Sequence, residues 1–368
     1  MPAANGSASL SIIEPKLRGP SGHYAEFVRA LAARAGGIIR SIDVVADPRA
    51  REYVASLGGA VPVVASRPAS GTFSEIAAIG ASIRAGRTTL VLTANASHAL
   101  HADWLSFAGA RALSGLALLY HWPLAKRQAR LALALAPRAR RHALFLATTR
   151  GVRDSLAAAG CARAIEIAYP ATRSAGAPMR APFRHLLMAG AARINKGLDV
   201  VAGLAERYAQ EGRDLPLLVQ VSPKHVDRHG SREDAVVHRL LEAGYRGLVA
   251  DPTAPDRAEY AARFTGALVL APYARAQFAH GVSGIVLDAL LHGAPCIATE
   301  GTWAGELVGR FDAGIVLRER TAEELAGAVD AILARWDHYA ARAAEASDAL
   351  VVEHDPRRVI ALLASGGR

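Results

Sequence analysis

The sequence predicts an α/β protein built from two doubly wound parallel-sheet domains. Short apolar runs alternate with amphipathic stretches along the whole chain, which is typical of strands and helices that alternate around an open parallel sheet. The length of 368 residues exceeds what a single hydrophobic core usually serves. A segment rich in small residues and proline, 171–182, marks the boundary. We therefore predict one domain over 1–175 and a second over 183–345.

The first domain is predicted to contain seven short strands separated by helices. These strands are 10–13, 42–45, 61–64, 89–93, 116–120, 144–148 and 165–168. A loop that contains Gly22 joins the first strand to a helix over 24–34. In open α/β sheets, ligands bind beyond the carboxyl ends of the strands, so the residues that follow each strand are the candidates for function.

Several histidines follow predicted strands. His98 and His101 have a spacing that a metal site could use, but no carboxylate or thiol lies near them, and we expect them to serve the start of a helix. His121 follows the fifth strand, where it could face a ligand or serve only the local structure.

Residues 280–299, HGVSGIVLDALLHGAPCIAT, predict a loop, a short helix, a stop and a buried strand. Ser283 can cap the helix, Gly293 ends it, and Pro295 prevents its continuation. The strand that follows, CIA at 296–298, is apolar enough to be buried on both faces.

The start of this helix has the features of an anion site. The N–H groups of Val282, Ser283 and Gly284 would be left free there, and the helix macrodipole favours a negative charge. Asp288, further along the helix, could accept hydroxyl groups from a ribose. The combination indicates a nucleotide-diphosphate pocket.

A second motif, GAARINKGLDVV, follows the first predicted strand of the second domain. Arg193 and Lys196 lie in its loop, and Gly197 leads into a helix. Two cations beside a helix N-terminus would neutralise a pyrophosphate and the charge that develops when it leaves. A pair of solvated loop cations is the alternative.

These two elements resemble the signature of the retaining glycosyltransferase family 4 (group 1). Asp288, Gly293, Pro295 and Ala298 match one family element in register, and the second motif matches its G-x-x-x-x-x-K-G element. The family's two glutamates, eight residues apart, are His280 and Asp288 in this chain, so the E-x7-E motif is degenerate. The resemblance implies the GT-B fold, in which two Rossmann-like domains face a cleft, and a C-terminal helix over 346–368 that crosses back to the first domain.

The resemblance also implies an activity. A sugar would move from a nucleotide-diphosphate donor to a glycan or lipid-linked acceptor with retention of configuration, as in a hexosyltransferase, without a metal or other cofactor. The residues that it assigns to catalysis are Arg193, Lys196, His280 and His121. The residues that it assigns to donor binding are Gly22, Ser283, Gly284, Asp288 and Tyr273.

Two alternatives belong to other functional classes. A catalytically silent GT-B protein that acts as a binding or partner subunit would explain His280 in place of a glutamate. A sugar-nucleotide epimerase would need additional carboxylates for acid–base chemistry, and the first half of the chain offers Glu14, Glu26 and Asp103.

The positive charge of the chain is concentrated in its first half. Residues 1–182 contain 22 Lys and Arg against 9 Asp and Glu, whereas residues 183–368 contain 21 against 24. The strongest cluster, KRQARLALALAPRARR at 126–141, could lie on an anionic membrane surface, or it could be a core helix with solvated ends. Nucleic acid is not expected as a partner, because no aromatic platform or nucleic-acid-binding motif accompanies the cations.

The chain contains two cysteines, and we predict a cytoplasmic protein, either free or peripheral on the inner face of the membrane. Cys161 and Cys296 are isolated thiols, which is typical of a reducing compartment. The first ten residues do not have the pattern of a secretory signal, and no apolar run approaches the roughly 18 residues of a membrane span.

Overall fold

The computed structural model describes residues 8–59, 61–65, 72–105, 113–173, 180–221 and 231–366. These form two compact units: unit 1, from the described residues of Met1–Thr172 and His354–Arg368, and unit 2, from those of Arg173–Glu353. The predictions for 1–7 and for the middle of the linker, 174–179, lie outside the described residues.

Unit 1 is an open parallel sheet with helices on both faces. Its strands are β1 Ser9–Glu14, β2 Ser41–Ala46, β3 Val63–Ala65, β4 Thr88–Val91, β5 Leu116–Tyr120, β6 Leu144–Ala147 and β7 Ala164–Glu166. Its helices are α1 His23–Arg34, α2 Arg51–Ser56, α3 Thr72–Arg84, α4 Ala96–Leu105, α5 Arg127–Ala134, α6 Pro137–His142, α7 Arg150–Ala158 and, at the end of the chain, α16 Pro356–Ala364. Within the described residues the strands pair in parallel in the order β3-β2-β1-β4-β5-β6-β7. All seven predicted strands are present.

Unit 2 repeats this architecture. Its strands are β8 His185–Met188, β9 Leu217–Gln220, β10 Leu248–Asp251, β11 Ala267–Ala271, β12 Cys296–Thr299 and β13 Gly314–Leu317. Its helices are α8 Leu198–Gln210, α9 Ser231–Leu241, α10 Arg257–Ala262, α11 Arg275–Phe278, α12 Gly284–Leu291, α13 Trp303–Phe311, α14 Ala322–Ala334 and α15 Trp336–Glu353. In the described part of the unit the strands are parallel and ordered β10-β9-β8-β11-β12-β13. Two doubly wound parallel sheets are therefore confirmed.

Burial on both faces explains why the strands could be recognised as continuous apolar runs. Every residue of β5, β11 and β12 is buried. A sheet that is covered by helices on both sides leaves no solvated face, so its strands do not alternate polar and apolar residues.

The end of the chain contains two helices. The helix α15 continues to Glu353 within unit 2, and α16 begins at Pro356, with the Asp355 side chain accepting from the Arg357 N–H group. Proline has no N–H group and is well suited to the first position of a helix, which explains the new start. The apolar side of α16 is buried in the core of unit 1 against helix α1.

The basic segment 126–141 also forms two helices, α5 and α6, because Pro137 starts the second one. Of the helices that the structure describes, none combines the length and the apolar character needed to cross a membrane.

Candidate functional site

The candidate site of unit 2 lies at the point where the order of the strands reverses. Strands β8, β9 and β10 follow one another toward one side of the sheet, and strands β11, β12 and β13 follow one another toward the other side. Strands β8 and β11 are neighbours at the centre. Ligands of open α/β sheets bind outside the carboxyl ends of the strands at this switch point. The loops after β8 and β11 contain both sequence motifs, at 190–197 and 272–284.

Ser283 caps helix α12, as predicted. Its Oγ accepts from the Val286 N–H group at 3.3 Å and donates to the Tyr273 hydroxyl at 3.3 Å. Tyr273 is 3% exposed, and burial raises the pKa of its hydroxyl to about 12. The structure therefore places Tyr273 inside the protein, where it supports the cap. A contact between Tyr273 and a donor remains a prediction.

The first turn of α12 is open. Gly284 is exposed, and a Cβ at this position would meet no atom within 4 Å. No residue in the described part of the chain accepts from the N–H groups of Gly284 and Ile285. A helix start with free donors and a favourable macrodipole can bind an anion.

The loop after β8 forms a tight turn. Residues Ile194–Lys196 make one turn of 3-10 helix, and Gly197 follows with φ of 96°. A Cβ on Gly197 would lie 2.7 Å from the carbonyl oxygen of Pro272, so only glycine allows this approach. The Ala274 N–H group donates to the Asn195 carbonyl at 2.9 Å, which joins this turn to the loop after β11.

Lys196 and Arg193 lie in this turn without an acidic partner among the described residues. The Arg193 Nε atom is buried and has no hydrogen-bond partner there. Burial, and then the charge of Arg193, lower the pKa of Lys196 to about 8. Two unpaired cations held this close create a site that favours an anion.

Gly190 lies next to both Lys196 and the first turn of helix α12. A Cβ at Gly190 would lie 3.0 Å from Ile285 Cδ1, in the first turn of the helix, and 4.0 Å from Lys196 Nζ. Gly190 has a φ of 79° and donates its N–H group to Gln220 Oε1 at 2.9 Å. The amine and the open helix start therefore lie around the same glycine.

His280 precedes the start of α12, and Asp288 lies one turn inside the helix. Asp288 Oδ2 accepts from the hydroxyl of Tyr260, on α10, at 2.9 Å. Asp288 is half-buried, and His280 is exposed. Tyr260 was not recognised from the sequence, because a tyrosine 28 positions before Asp288 gives no local signal.

Two predicted site residues lie in unit 1, at the carboxyl edge of its sheet. His121 is half-buried, and its Nε2 atom donates to the Leu92 carbonyl at 2.8 Å, directly after β4. Burial lowers the pKa of His121. Gly22 is exposed at the start of α1 with φ of 97°, a conformation that favours glycine.

His98 serves the start of helix α4, as expected. Its Nδ1 atom accepts from the Asn95 N–H group at 2.9 Å. The expectation that no carboxylate lies near His98 was wrong, because Glu75, 23 positions earlier in the sequence, places its carboxylate 3.0 Å from His98 Nε2.

Two further arginines at the carboxyl edge of the second sheet bind main-chain carbonyl groups. Arg275 donates to the carbonyls of Glu300, at 2.6 Å, and Arg318. Arg320 donates to the carbonyls of Pro272, at 2.7 Å, and Ile194. We found Arg320 only in the structure, because neither its spacing nor its neighbours distinguish it from a solvated arginine.

Comparison with known proteins gives matches in structure only: no family model and no curated protein matches the chain. HepE (Alr3699) from Anabaena, in a complex with UDP-glucose, superposes with a TM-score of 0.69 at 14% identity over 97% of this chain and 98% of that chain. Sucrose-phosphate synthase from Thermosynechococcus elongatus gives 0.65 at 15% identity over 97% of each chain. The fold is GT-B.

The GT-B fold does not by itself distinguish the proposed activities. A Listeria monocytogenes structure assigned as a UDP-N-acetylglucosamine 2-epimerase gives a TM-score of 0.58 at 12% identity, over 97% of this chain and 96% of that chain. At such identities a likeness establishes fold and not function. Membership of family 4, and the retention of configuration that it implies, stay predictions.

Two glycines of the GT-B site should respond differently to alanine. Gly197→Ala should lower the free energy of unfolding by about 2 kcal/mol or more, because a side chain there is strained by the positive φ and overlaps Pro272. Gly284→Ala should change it by less than about 0.5 kcal/mol, because the position is open. Urea unfolding followed by circular dichroism measures both, and equal losses would contradict the assigned geometry.

Proposed function

We propose that this protein is a glycosyltransferase that moves a sugar from a nucleotide-diphosphate donor to an acceptor hydroxyl, with retention of configuration and without a metal. The observation that carries the proposal is that Lys196 Nζ and Ile285, in the open first turn of α12, both lie beside Gly190. Arg193 adds a second cation without an acidic partner in the described chain. The structures of HepE are complexes with UDP and with UDP-glucose, which supports a uridine diphosphate sugar as the first donor to test.

The proposed reaction breaks the bond between the sugar C1 and the β-phosphate oxygen. The bonding electrons go to that oxygen, and the negative charge that develops is stabilised by Lys196, Arg193 and the N–H groups at Gly284. The acceptor oxygen forms a new bond to C1 on the same face, and its proton passes to the departing phosphate. A neutral or poorly placed Lys196 would leave the phosphate charge compensated only by Arg193 and the N–H groups at Gly284.

The remaining roles follow the same proposal. Asp288, whose carboxylate is held by the Tyr260 hydroxyl, accepts hydrogen bonds from the ribose hydroxyls of the donor. His280 contacts the sugar that is transferred. The predicted donor contacts of His121, Gly22 and Tyr273 are part of the proposal, with Tyr273 acting through Ser283. A glycan or lipid-linked acceptor is assigned to unit 1.

The structure gives less support to an epimerase. All three acids that the first half could offer have structural partners. Glu14 is fully buried and accepts from Thr93 Oγ1 at 2.7 Å, Glu26 pairs with Arg29, and Asp103 accepts from the Ala139 N–H group at 2.7 Å. A silent binding subunit would bind the donor without turnover, and gain of activity in His280→Glu would identify it.

Donor binding and turnover test the proposal directly. UDP-, GDP- and ADP-sugars are screened by thermal shift, where a ligand at 100 times its Kd stabilises the protein by about 2.7 kcal/mol. With the donor that binds, Lys196→Ala should reduce turnover on the order of 10²-fold, by analogy with the loss of one oxyanion donor. Arg34→Ala, at an exposed arginine of unit 1 outside every surface proposed here, is the control.

The outcomes of this screen are distinct. Failure of every nucleotide sugar to bind would overturn the proposed function, and an unchanged rate in Lys196→Ala would remove the phosphate role. The same reaction mixture tests the two finer points: the anomeric configuration of the product by NMR, and persistence of activity in EDTA.

The pH dependence of donor binding gives an independent test. The pKa of Lys196 is about 8 in the free protein, and a bound diphosphate would raise it by favouring the charged amine. Binding above about pH 8 then requires proton uptake, so UDP affinity should fall as pH rises, approaching tenfold per pH unit. Titration calorimetry from pH 7 to 9.5 measures this. Lys196→Arg should flatten the profile, and a flat wild-type profile would contradict the assignment.

We also propose that unit 1 associates with an anionic membrane surface through helices α4 to α6. Trp104 on α4 and Leu131 and Leu135 on or just after α5 are 63%, 60% and 57% exposed, and α4 packs against α5. Exposed cations without an acidic partner among the described residues lie on or next to α5 and α6: Lys126, Arg127, Arg138 and Arg141. Exposed apolar side chains and unpaired cations on neighbouring helices are typical of an interfacial membrane surface.

Vesicle sedimentation tests this surface. Replacing Arg127, Arg138 and Arg141 together by Gln should weaken binding to vesicles of phosphatidylcholine with 30% phosphatidylserine roughly 100-fold, from about 1 kcal/mol per cation. The control replaces Arg34, Arg51 and Arg84, three exposed arginines elsewhere in unit 1, and removes the same charge. Equal losses in the two triple variants, or equal binding of the wild type to neutral vesicles, would contradict the proposal.

A further inference from the structure

Arg320 joins three separate parts of the candidate site. Its Nε atom donates to the Pro272 carbonyl at 2.7 Å, and its Nη2 atom donates to the Ile194 carbonyl. The guanidinium also forms a two-point ion pair with Asp199, in the first turn of α8, with Nη1 3.0 Å from Oδ2. One planar group therefore binds the turn that contains Lys196, the helix that follows it and the loop after β11.

The turn that contains Arg193 and Lys196 needs such a connection to keep its conformation. Arg193 and Lys196 repel each other, and Lys196 is desolvated. The turn itself is only three residues long, and glycine follows it, so it has little rigidity of its own. A fixed guanidinium that donates a hydrogen bond to a carbonyl of the turn would keep the two cations in place for a ligand.

Arg320 is itself held in a defined position. Glu324, in the first turn of α14, accepts from the N–H groups of Arg318, at 2.8 Å, and Glu319, at 2.6 Å. Thr321 caps the same helix by accepting from the Glu324 N–H group at 3.1 Å. The backbone on both sides of Arg320 is therefore fixed by hydrogen bonds, and its guanidinium is 23% exposed.

We propose that Arg320 is a positioning residue, which holds the Arg193–Lys196 turn in the geometry that binds the β-phosphate. The inference rests on the proposed binding of a nucleoside diphosphate at this turn. Arg320 does not contact the phosphate in this proposal, because four of its five N–H groups donate to Pro272, Ile194 and Asp199. Its loss should affect recognition of the second phosphate and leave recognition of the nucleoside monophosphate part unchanged.

Binding of UDP and UMP to the same variants distinguishes this role from a general effect on the fold. Arg320→Gln should lower the preference for UDP over UMP about tenfold, which corresponds to about 1.4 kcal/mol. UMP affinity should stay within about twofold of the wild type. Arg318→Gln is the matched control, because the Arg318 side chain is exposed and only its main chain takes part in these contacts. Both nucleotides are titrated by calorimetry against the full chain.

Each outcome decides the question. If the wild type prefers UDP over UMP and Arg320→Gln shows the same preference, the positioning role is overturned and the proposed function stays intact. A wild-type protein that binds UDP no better than UMP overturns both. If Arg320→Gln does not fold, Arg320→Lys is measured in the same way: one amine cannot serve both carbonyls and Asp199, so a loss of preference of about threefold or more is expected, and none would overturn the role.

Discussion

The site depends on two like charges being held together where water is scarce. Arg193 and Lys196 repel each other, and burial disfavours the charged amine of Lys196. Two main-chain carbonyls of the turn are bound by hydrogen bonds from neighbouring parts of the protein. The Ile194 carbonyl is bound by Arg320, and the Asn195 carbonyl by the Ala274 N–H group. These two carbonyls are therefore already paired, whereas Arg193 and Lys196 have no acidic partner among the described residues, and such a pair of cations favours an anion.

Parallel pairing explains why residues so far apart in sequence belong to one site. Each crossover must return over a helix, so every loop after a strand emerges at the same edge of the sheet. The two motifs, about 90 residues apart, meet because β8 and β11 are neighbours at the switch point. Arg275 and Arg320 then join neighbouring loops, because each donates to a main-chain carbonyl of another loop at this edge of the sheet.

Local signals in the sequence were sufficient for much of this structure. All seven strands of unit 1 and strand β12 of unit 2 were predicted, since apolar runs buried on both faces are easy to recognise, and Ser283 was predicted as the cap of α12. Side-chain direction could not be predicted. Tyr273 follows β11 beside the site, but its hydroxyl turns inward to Ser283, because the cap offers a buried partner.

Contacts between residues that are far apart in the sequence could not be predicted either. The bond between Tyr260 and Asp288 and the three-way contact of Arg320 depend on how separate crossovers pack, and no local pattern records that packing. The division of the basic segment at Pro137 could have been predicted from the proline alone.

The placement of α16 has a consequence for the order in which the molecule is completed. Its residues Val359, Ile360 and Leu363 fill the same core as Phe27 and Leu31 of α1. During synthesis, the first unit to be translated must therefore wait for the last helix before its core can close. Unit 2, whose described residues end at Glu353, has no such dependence on the final segment, so it can reach its packed state while the earlier unit still exposes apolar surface to chaperones.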